Sequence, residues 1–115
     1  MKKYTMDKLE QYRTAIIEEL EYQLELEYSD MPAVNYKLIQ DGTQFVVIAV
    51  GWHEKKFIHD LWFHLELIDE KVWFFENNTD YQIDKALVER GIEKEDMVVA
   101  WLNRPTSETA KALAA

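Results

Sequence analysis

Residues 34–75, VNYKLIQDGTQFVVIAVGWHEKKFIHDLWFHLELIDEKVWFF, decide the fold. Four apolar runs, at 34–39, 45–50, 57–68 and 72–75, are separated by short polar turns. Asp41-Gly42 tolerates positive φ at both positions and predicts a two-residue hairpin between the first two runs. Glu54-Lys55-Lys56 and Asp69-Glu70 close the next two gaps, and connections this short join antiparallel neighbours. The block therefore reads as a four-stranded antiparallel meander. Residues 45–50 are apolar at every position, which predicts an inner strand covered on both faces. Residues 57–68 alternate, with Phe57, His59, Leu61, Phe63, Leu65 and Leu67 toward the core and Ile58, Asp60, Trp62, His64, Glu66 and Ile68 opposite. That second face mixes large apolar groups with charges, and suits another protein or a second copy of this chain better than water.

Outward from the meander, helical patterns appear on both sides. Met6, Leu9, Tyr12, Ile16, Ile17, Leu20 and Leu24 fall within roughly 140° at 100° per residue, predicting a long helix over residues 6–28. Thr5 or Asp7 would cap its start, and Pro32 would end it by disfavouring α geometry in the residue before. Glu10, Glu18, Glu21 and Glu25 gather on the far side, either as a solvated face or as a docking surface for a basic partner. Arg13 lies inside the apolar arc, where a charged head must snorkel past the sheet edge or find a carboxylate.

After the meander, Thr79 with Gln82 matches a capping box and predicts a second helix that starts there, presents Ile83, Ala86 and Leu87 inward, and stops at Gly91. Residues 92–96 read as a polar connector and 97–102 as a fifth, largely buried strand. Residues 106–115, with a Ser/Thr start and an alanine-rich body, read as a terminal helix or a frayed end. The fold class is thus α+β: a long N-terminal helix, a four-stranded antiparallel meander, a second helix and a fifth strand.

At 115 residues the chain is one domain spanning 1–115. Hydrophobic residues at 48% and aromatics at 13% argue against disorder, and no apolar run has a membrane helix's length. The N-terminus lacks the apolar run of a secretory signal and there is no cysteine, both of which fit the cytoplasm. Charge narrows function further. With 22 acidic and 13 basic residues the formal net charge is −9, and Lys2-Lys3 and Lys55-Lys56 are the only basic doublets. Affinity for DNA comes largely from clustered Lys and Arg that release counterions, so this chain is expected to reach nucleic acid through a basic partner.

Chemistry offers few footholds. His59 and His64 are an odd number of residues apart and point to opposite faces of a regular strand, which leaves Asp60, His64 and Glu66 as the best metal or enzyme constellation. The set has suitable ligand types without motif spacing, and it stands as the alternative reading: a metal-dependent enzyme or nuclease component. There is no P-loop, dinucleotide fingerprint, zincin helix or nucleophile elbow. Trp52, Trp62, Trp73 and Trp101 could stack nucleobases, but such platforms sit in positive grooves, so core and interface roles are expected of them. Lys55, Lys56 and Arg104 would be the phosphate contacts in a direct DNA-binding reading. No catalytic residue and no cofactor are assigned.

Several pieces, in order, carry a family resemblance: Tyr12-Arg13, Gly51-Trp52, Ile58-His59, His64-Leu65-Glu66-Leu67, Lys71-Val72-Trp73, Thr79-Asp80 and Gly91-Ile92-Glu93-Lys94-Glu95-Asp96-Met97-Val98. Together they resemble the XisI-like proteins, fdxN element excision controlling factors found mainly in cyanobacteria. The resemblance implies a small α+β accessory factor in developmentally controlled excision of a DNA element, with the recombinase a separate protein. It also implies a partner, since the family is commonly encoded beside XisH, which resembles a restriction-endonuclease-type nuclease. Candidate partner-binding residues are Glu10, Glu18, Glu21 and Glu25 on the helix and Trp62, His64 and Glu66 on the sheet, and a homodimer is a further expectation. The chain departs from the family at Asp60-Leu61, where relatives carry a small Gly-Cys pair, and at residues 106–110 of the tail. It departs again at Asp69-Glu70, where relatives carry Asp-Gly; that turn is expected to change type or to bulge.

Overall fold

The structure, a computed structural model, describes residues 7–26, 32–79 and 81–102. Helix α1 (Asp7–Glu25) precedes strands β1 (Val34–Asp41), β2 (Gln44–His53), β3 (Lys56–Ile68) and β4 (Lys71–Asn77). Helix α2 (Ile83–Glu89), a 3-10 turn (Lys94–Asp96), strand β5 (Met97–Val99) and a second 3-10 turn (Ala100–Leu102) follow. The sheet order is β1-β2-β3-β4-β5, antiparallel throughout except that β5 runs parallel to β4. The expected meander is therefore present. The tail at 106–115 and the caps at Thr5 and Asp7 lie outside the described residues and side chains.

Both helices lie on one face of the sheet. Tyr12, Ala15, Ile16 and Leu20 of α1 and Ile83 and Leu87 of α2 pack with Phe45, Val47, Phe63, Leu65, Leu67, Val72 and Phe74 of the strands. The buried face of α1 is turned by roughly 70° from the arc of apolar residues. Glu19 and Gln23 are buried while Leu9 is exposed and Ile17 and Leu24 only half-buried. The cause is α2, which packs beside α1 and whose flanking residues Tyr81 and Arg90 reach Glu19. Arg13 snorkels: its guanidinium carbon lies over the Phe45 ring, 5.8 Å from the centroid, and Nη1 donates to the Gly42 carbonyl in the β1–β2 turn.

The turns depart from expectation in an instructive way. Asp41 pairs with Gln44, so the β1–β2 turn is Gly42-Thr43, one residue later than Asp41-Gly42. Gly42 alone takes positive φ there, 62°, as at the first position of a II′ turn. Asp69 and Glu70 have φ of 54° and 62°, and Ile68 pairs with Lys71. That turn thus keeps the two-residue form with positive φ at both positions, instead of changing type or bulging, and holds two non-glycine residues in left-handed geometry.

Helix α2 also begins later than its capping box. Thr79 does not cap it; no side chain does, and Gln82 is the residue before the first turn. Instead Asn77 Oδ1 accepts from Thr79 N at 3.0 Å and Thr79 Oγ1 accepts from Tyr81 N at 3.0 Å, two successive side-chain turns that compete with helix. At its other end Gly91 N donates to Val88 O and Ile92 N to Leu87 O, closing the helix where glycine predicts it. The fifth strand is only three residues long and half-buried; Ala100–Leu102 curls into a 3-10 turn with Trp101 and Leu102 exposed.

Candidate partner-docking surfaces

A single inserted residue reorganises the sheet face on which the sequence placed Asp60, Trp62, His64 and Glu66. Val47 pairs with Phe63 but Ile48 pairs with Leu61, leaving Trp62 extra as a bulge in β3. Cross-strand partners share a face, so Phe63, Leu65 and Leu67 lie on the core side with Val47. Leu61, His59 and Phe57 lie on the outer side, opposite Ile48, Val50 and Trp52. The strict alternation expected for 57–68 is broken at this point, and Phe57, His59 and Leu61 are not core residues. Asn78 holds the bulge open: its N–H donates to Trp62 O at 2.9 Å and its Nδ2 to Leu61 O at 2.7 Å.

Two of the candidates, Trp62 and Asp60, change meaning as a result. Trp62 turns inward, with its ring edge-on to Tyr36 at 4.7 Å, and packs against the core instead of standing on the mixed face with His64. Asp60 pairs with Ala49, on the core side of the sheet, whereas His64 pairs with Val46 on the outer side, so Asp60, His64 and Glu66 do not converge. Among the described residues no three carboxylate or imidazole groups are placed to hold a metal ion. His64 and Glu66 remain together on the outer face. His64 Nε2 lies 3.1 Å from Gln44 Oε1 and its ring 4.9 Å from that of Phe75. Partial burial holds the Glu66 carboxyl above its ordinary range, opposed by the neighbouring His64. The tryptophans form no common platform either: Trp73 is buried and Trp62 half-buried, and Trp52 and Trp101 are exposed.

Glu10, Glu18, Glu21 and Glu25 are all exposed, along one face of α1 as their spacing dictates. Glu10 and Glu18 border a shallow groove of 370 Å³ closed on its other side by Arg90 and Gly91. Beneath this surface lies a feature that pattern reading missed, a pair of buried carboxylate clusters that fasten α1 to the later chain. Glu19, 2% exposed, accepts from Arg90 Nε at 2.7 Å, Tyr81 Oη at 2.8 Å and Gln23 Nε2 at 2.9 Å. Arg90 Nη1 also reaches Glu18 at 3.5 Å. Asp96, 7% exposed, accepts from Tyr12 Oη at 2.5 Å and pairs with Lys8 at 2.9 Å and Lys71 at 3.6 Å. Tyr12 Oη in turn accepts from Glu93 N at 3.2 Å. Tyr12, Glu93 and Asp96 all belong to the pieces that carried the resemblance, and here they tie the first helix to the entry of β5.

The bond from Tyr12, then that from Lys8, holds the Asp96 carboxyl below its ordinary value of 3.8 against the opposing effect of burial. A depressed carboxylate contributes stability that is present above that ordinary value and is lost as pH falls through the lowered one. Tyr12→Phe is therefore expected to cost about 2 kcal/mol at neutral pH. The gap from wild type should narrow below about pH 4. Urea unfolding at pH 3 to 7 reads it, and a pH-independent gap would assign the loss to packing instead.

Known proteins align with this architecture along nearly its whole length. Two solved structures from Anabaena variabilis ATCC 29413 are similar to it. One, the fdxN element excision controlling factor XisI, is 28% identical with a TM-score of 0.69, over 86% of this chain and 96% of that one. The other, a XisI-like protein, is 28% identical with a TM-score of 0.73, over 84% of this chain and 89% of that one. No curated protein matches the chain. The family model described as XisI protein matches residues 6–111, which takes in both helices, all five strands and both carboxylate clusters, and the chain belongs to the XisI family.

Proposed function

We propose that this protein is a controlling factor for excision of a DNA element that acts in the cytoplasm by gripping a basic protein partner, a XisH-like nuclease, without catalysing a step itself. The observation that carries the reading is the exposed row Glu10, Glu18, Glu21 and Glu25 on a helix anchored from behind by Glu19 and Asp96. A rigid acidic row on a chain of net charge −9 attracts a basic surface and repels phosphate. The fdxN element excision controlling factor of the similar structure lends the excision role. The reading that makes Asp60, His64 and Glu66 a metal-dependent nuclease component loses its geometric support, because the Trp62 bulge sets Asp60 on the opposite face.

The test is co-purification with a XisH-like nuclease from the same genome, followed by titration at two salt concentrations. Binding should weaken steeply with salt, and the triple reversal Glu10→Lys, Glu21→Lys, Glu25→Lys should weaken it by at least about tenfold. These three residues are exposed and lie outside the Glu19 cluster, so the fold is expected to persist. Absence of a complex at micromolar concentration in low salt, or an unchanged affinity in the triple variant, would count against the proposal.

A further inference from the structure

Among the described residues no helix covers the outer face of the sheet over its β1–β3 half. Cross-strand rows run Trp52–Phe57, Val50–His59 and Ile48–Leu61, with Asn35 and Lys37 of β1 extending the latter two, and then Ile39–Val46–His64. Ile39, Trp52 and Phe57 are 48%, 54% and 53% exposed, and the Trp52 and Phe57 rings touch at 5.3 Å. An alternating strand that must meet water on this side would carry polar groups, yet β2 supplies Val46, Ile48, Val50 and Trp52. The bulge at Trp62 adds to the patch by swinging Phe57 and Leu61 onto it.

Charge is distributed unevenly around this face. In the rows from Trp52–Phe57 to Ile39–Val46–His64 the β1–β3 side chains include no carboxylate, and Lys37 is the one residue of fixed charge, although the chain as a whole carries −9. Asp41 and Glu66 stand only at the far end of the face, in register with Gln44. The acidic row of α1 belongs to the helical layer on the other side of the sheet. Two molecules that each carry −9 repel everywhere except where their acids are absent, so this face is where like copies approach at least electrostatic cost. A basic partner gains nothing here, because there is no negative charge to meet it.

Size agrees with that occupant. The three strands, about 4.8 Å apart and up to some 30 Å long, present a plane of roughly 430 Å², which side-chain relief raises toward the lower end of the interface sizes that hold a dimer. Two such faces stacked about 10 Å apart with aligned strands would form a sandwich whose inner layer is made of these residues. We infer that the outer face of β1–β3, centred on Ile48 with Trp52 and Phe57 at its edge, is the contact between two copies of this chain. The helices and their acidic rows then face outward on opposite sides of the dimer, free to engage another protein.

Sedimentation equilibrium of the isolated chain between about 1 and 100 µM tests this without any partner present. The expected species is a dimer of twice the 13.7 kDa protomer mass, with a dissociation constant in the micromolar range or below. Trp52→Glu and, separately, Phe57→Glu should each raise that constant by at least about tenfold, since each removes an aromatic anchor from the edge of the contact and sets a charge against the apolar face. Both residues are more than half exposed in the single chain, so neither change is expected to unfold it, which circular dichroism checks. A monomeric wild type at 100 µM overturns the inference. A dimer that persists in whichever variants remain folded also overturns it, and would point to pairing elsewhere, such as along the edge of β1.

Discussion

Gly51→Ala is expected to be the most damaging single-methyl change in this protein, costing about 3 kcal/mol and lowering Tm by roughly 10–20 °C. Gly51 sits near the end of β2 with φ of 155°, a region that side-chain-bearing residues rarely adopt. Space is the greater obstacle. A Cβ built there would lie 2.1 Å from the Ala33 carbonyl oxygen and 2.7 Å from Val34 Cα, both backbone atoms that cannot rotate away. Relief requires the start of β1 to move off β2, which breaks the bond from Trp52 N to Ala33 O at 3.1 Å and uncovers buried Val34. Gly42→Ala is the internal control. Its φ is 62° but nothing lies within 4 Å of the added methyl, so only the backbone cost of about 1 kcal/mol applies. Urea unfolding of both variants separates the two causes, and equal losses at the two sites would show that the close approach of β1 is not what selects glycine at 51.

The same pair of residues shows what the sequence could and could not reveal. Gly51-Trp52 was conspicuous as part of the family pattern, but the reason for glycine is a backbone from 18 positions earlier, which no local reading supplies. Element types were legible because apolar period and turn chemistry are local: α1, the four meander strands and the stop of α2 at Gly91 lie where those signals put them, although α2 starts later than its capping box. Registers and faces were not. An inserted residue leaves no mark on a period-two pattern, so the alternation through 57–68 gave the side chains from Phe57 to Trp62 the wrong face, while Phe63 to Glu66 kept theirs. That one insertion carried Trp62 into the core, removed Asp60 from His64 and Glu66, and moved Phe57, His59 and Leu61 outward. The helical stripe failed differently. Nothing in the helical pattern marks Glu19, since its burial depends on Arg90, which lies 71 residues later. Exposed Glu10, Glu18, Glu21 and Glu25 needed only helical spacing, and the structure keeps them on one open face.

Arg90→Ala is expected to cost about 3 kcal/mol, because it leaves the Glu19 carboxylate buried without its cation. Glu19 retains Tyr81 and Gln23 as donors, and neither carries charge. Glu19→Leu alone should cost less than Arg90→Ala, because the guanidinium is partly solvent-exposed and keeps Glu18 within reach. The double change Glu19→Leu, Arg90→Ala should be milder than the sum of the single ones, since removing both charges together removes the desolvation penalty with the attraction. A third member of the cluster gives an independent reading in alkali. Burial, with the bond donated to Glu19, pushes the Tyr81 hydroxyl up to about 12 from its ordinary 10.0. A group raised in this way contributes stability that is present below the ordinary value and is lost as pH climbs through the raised one, so the wild type should weaken between pH 10 and pH 12. Glu19→Gln should flatten that loss without abolishing it, because burial, the larger cause, stays. If the double variant is as unstable as the two single changes added together, the cluster does not act as a unit. The anchoring of α1 that presents its acidic row would then rest on Tyr12 and Asp96.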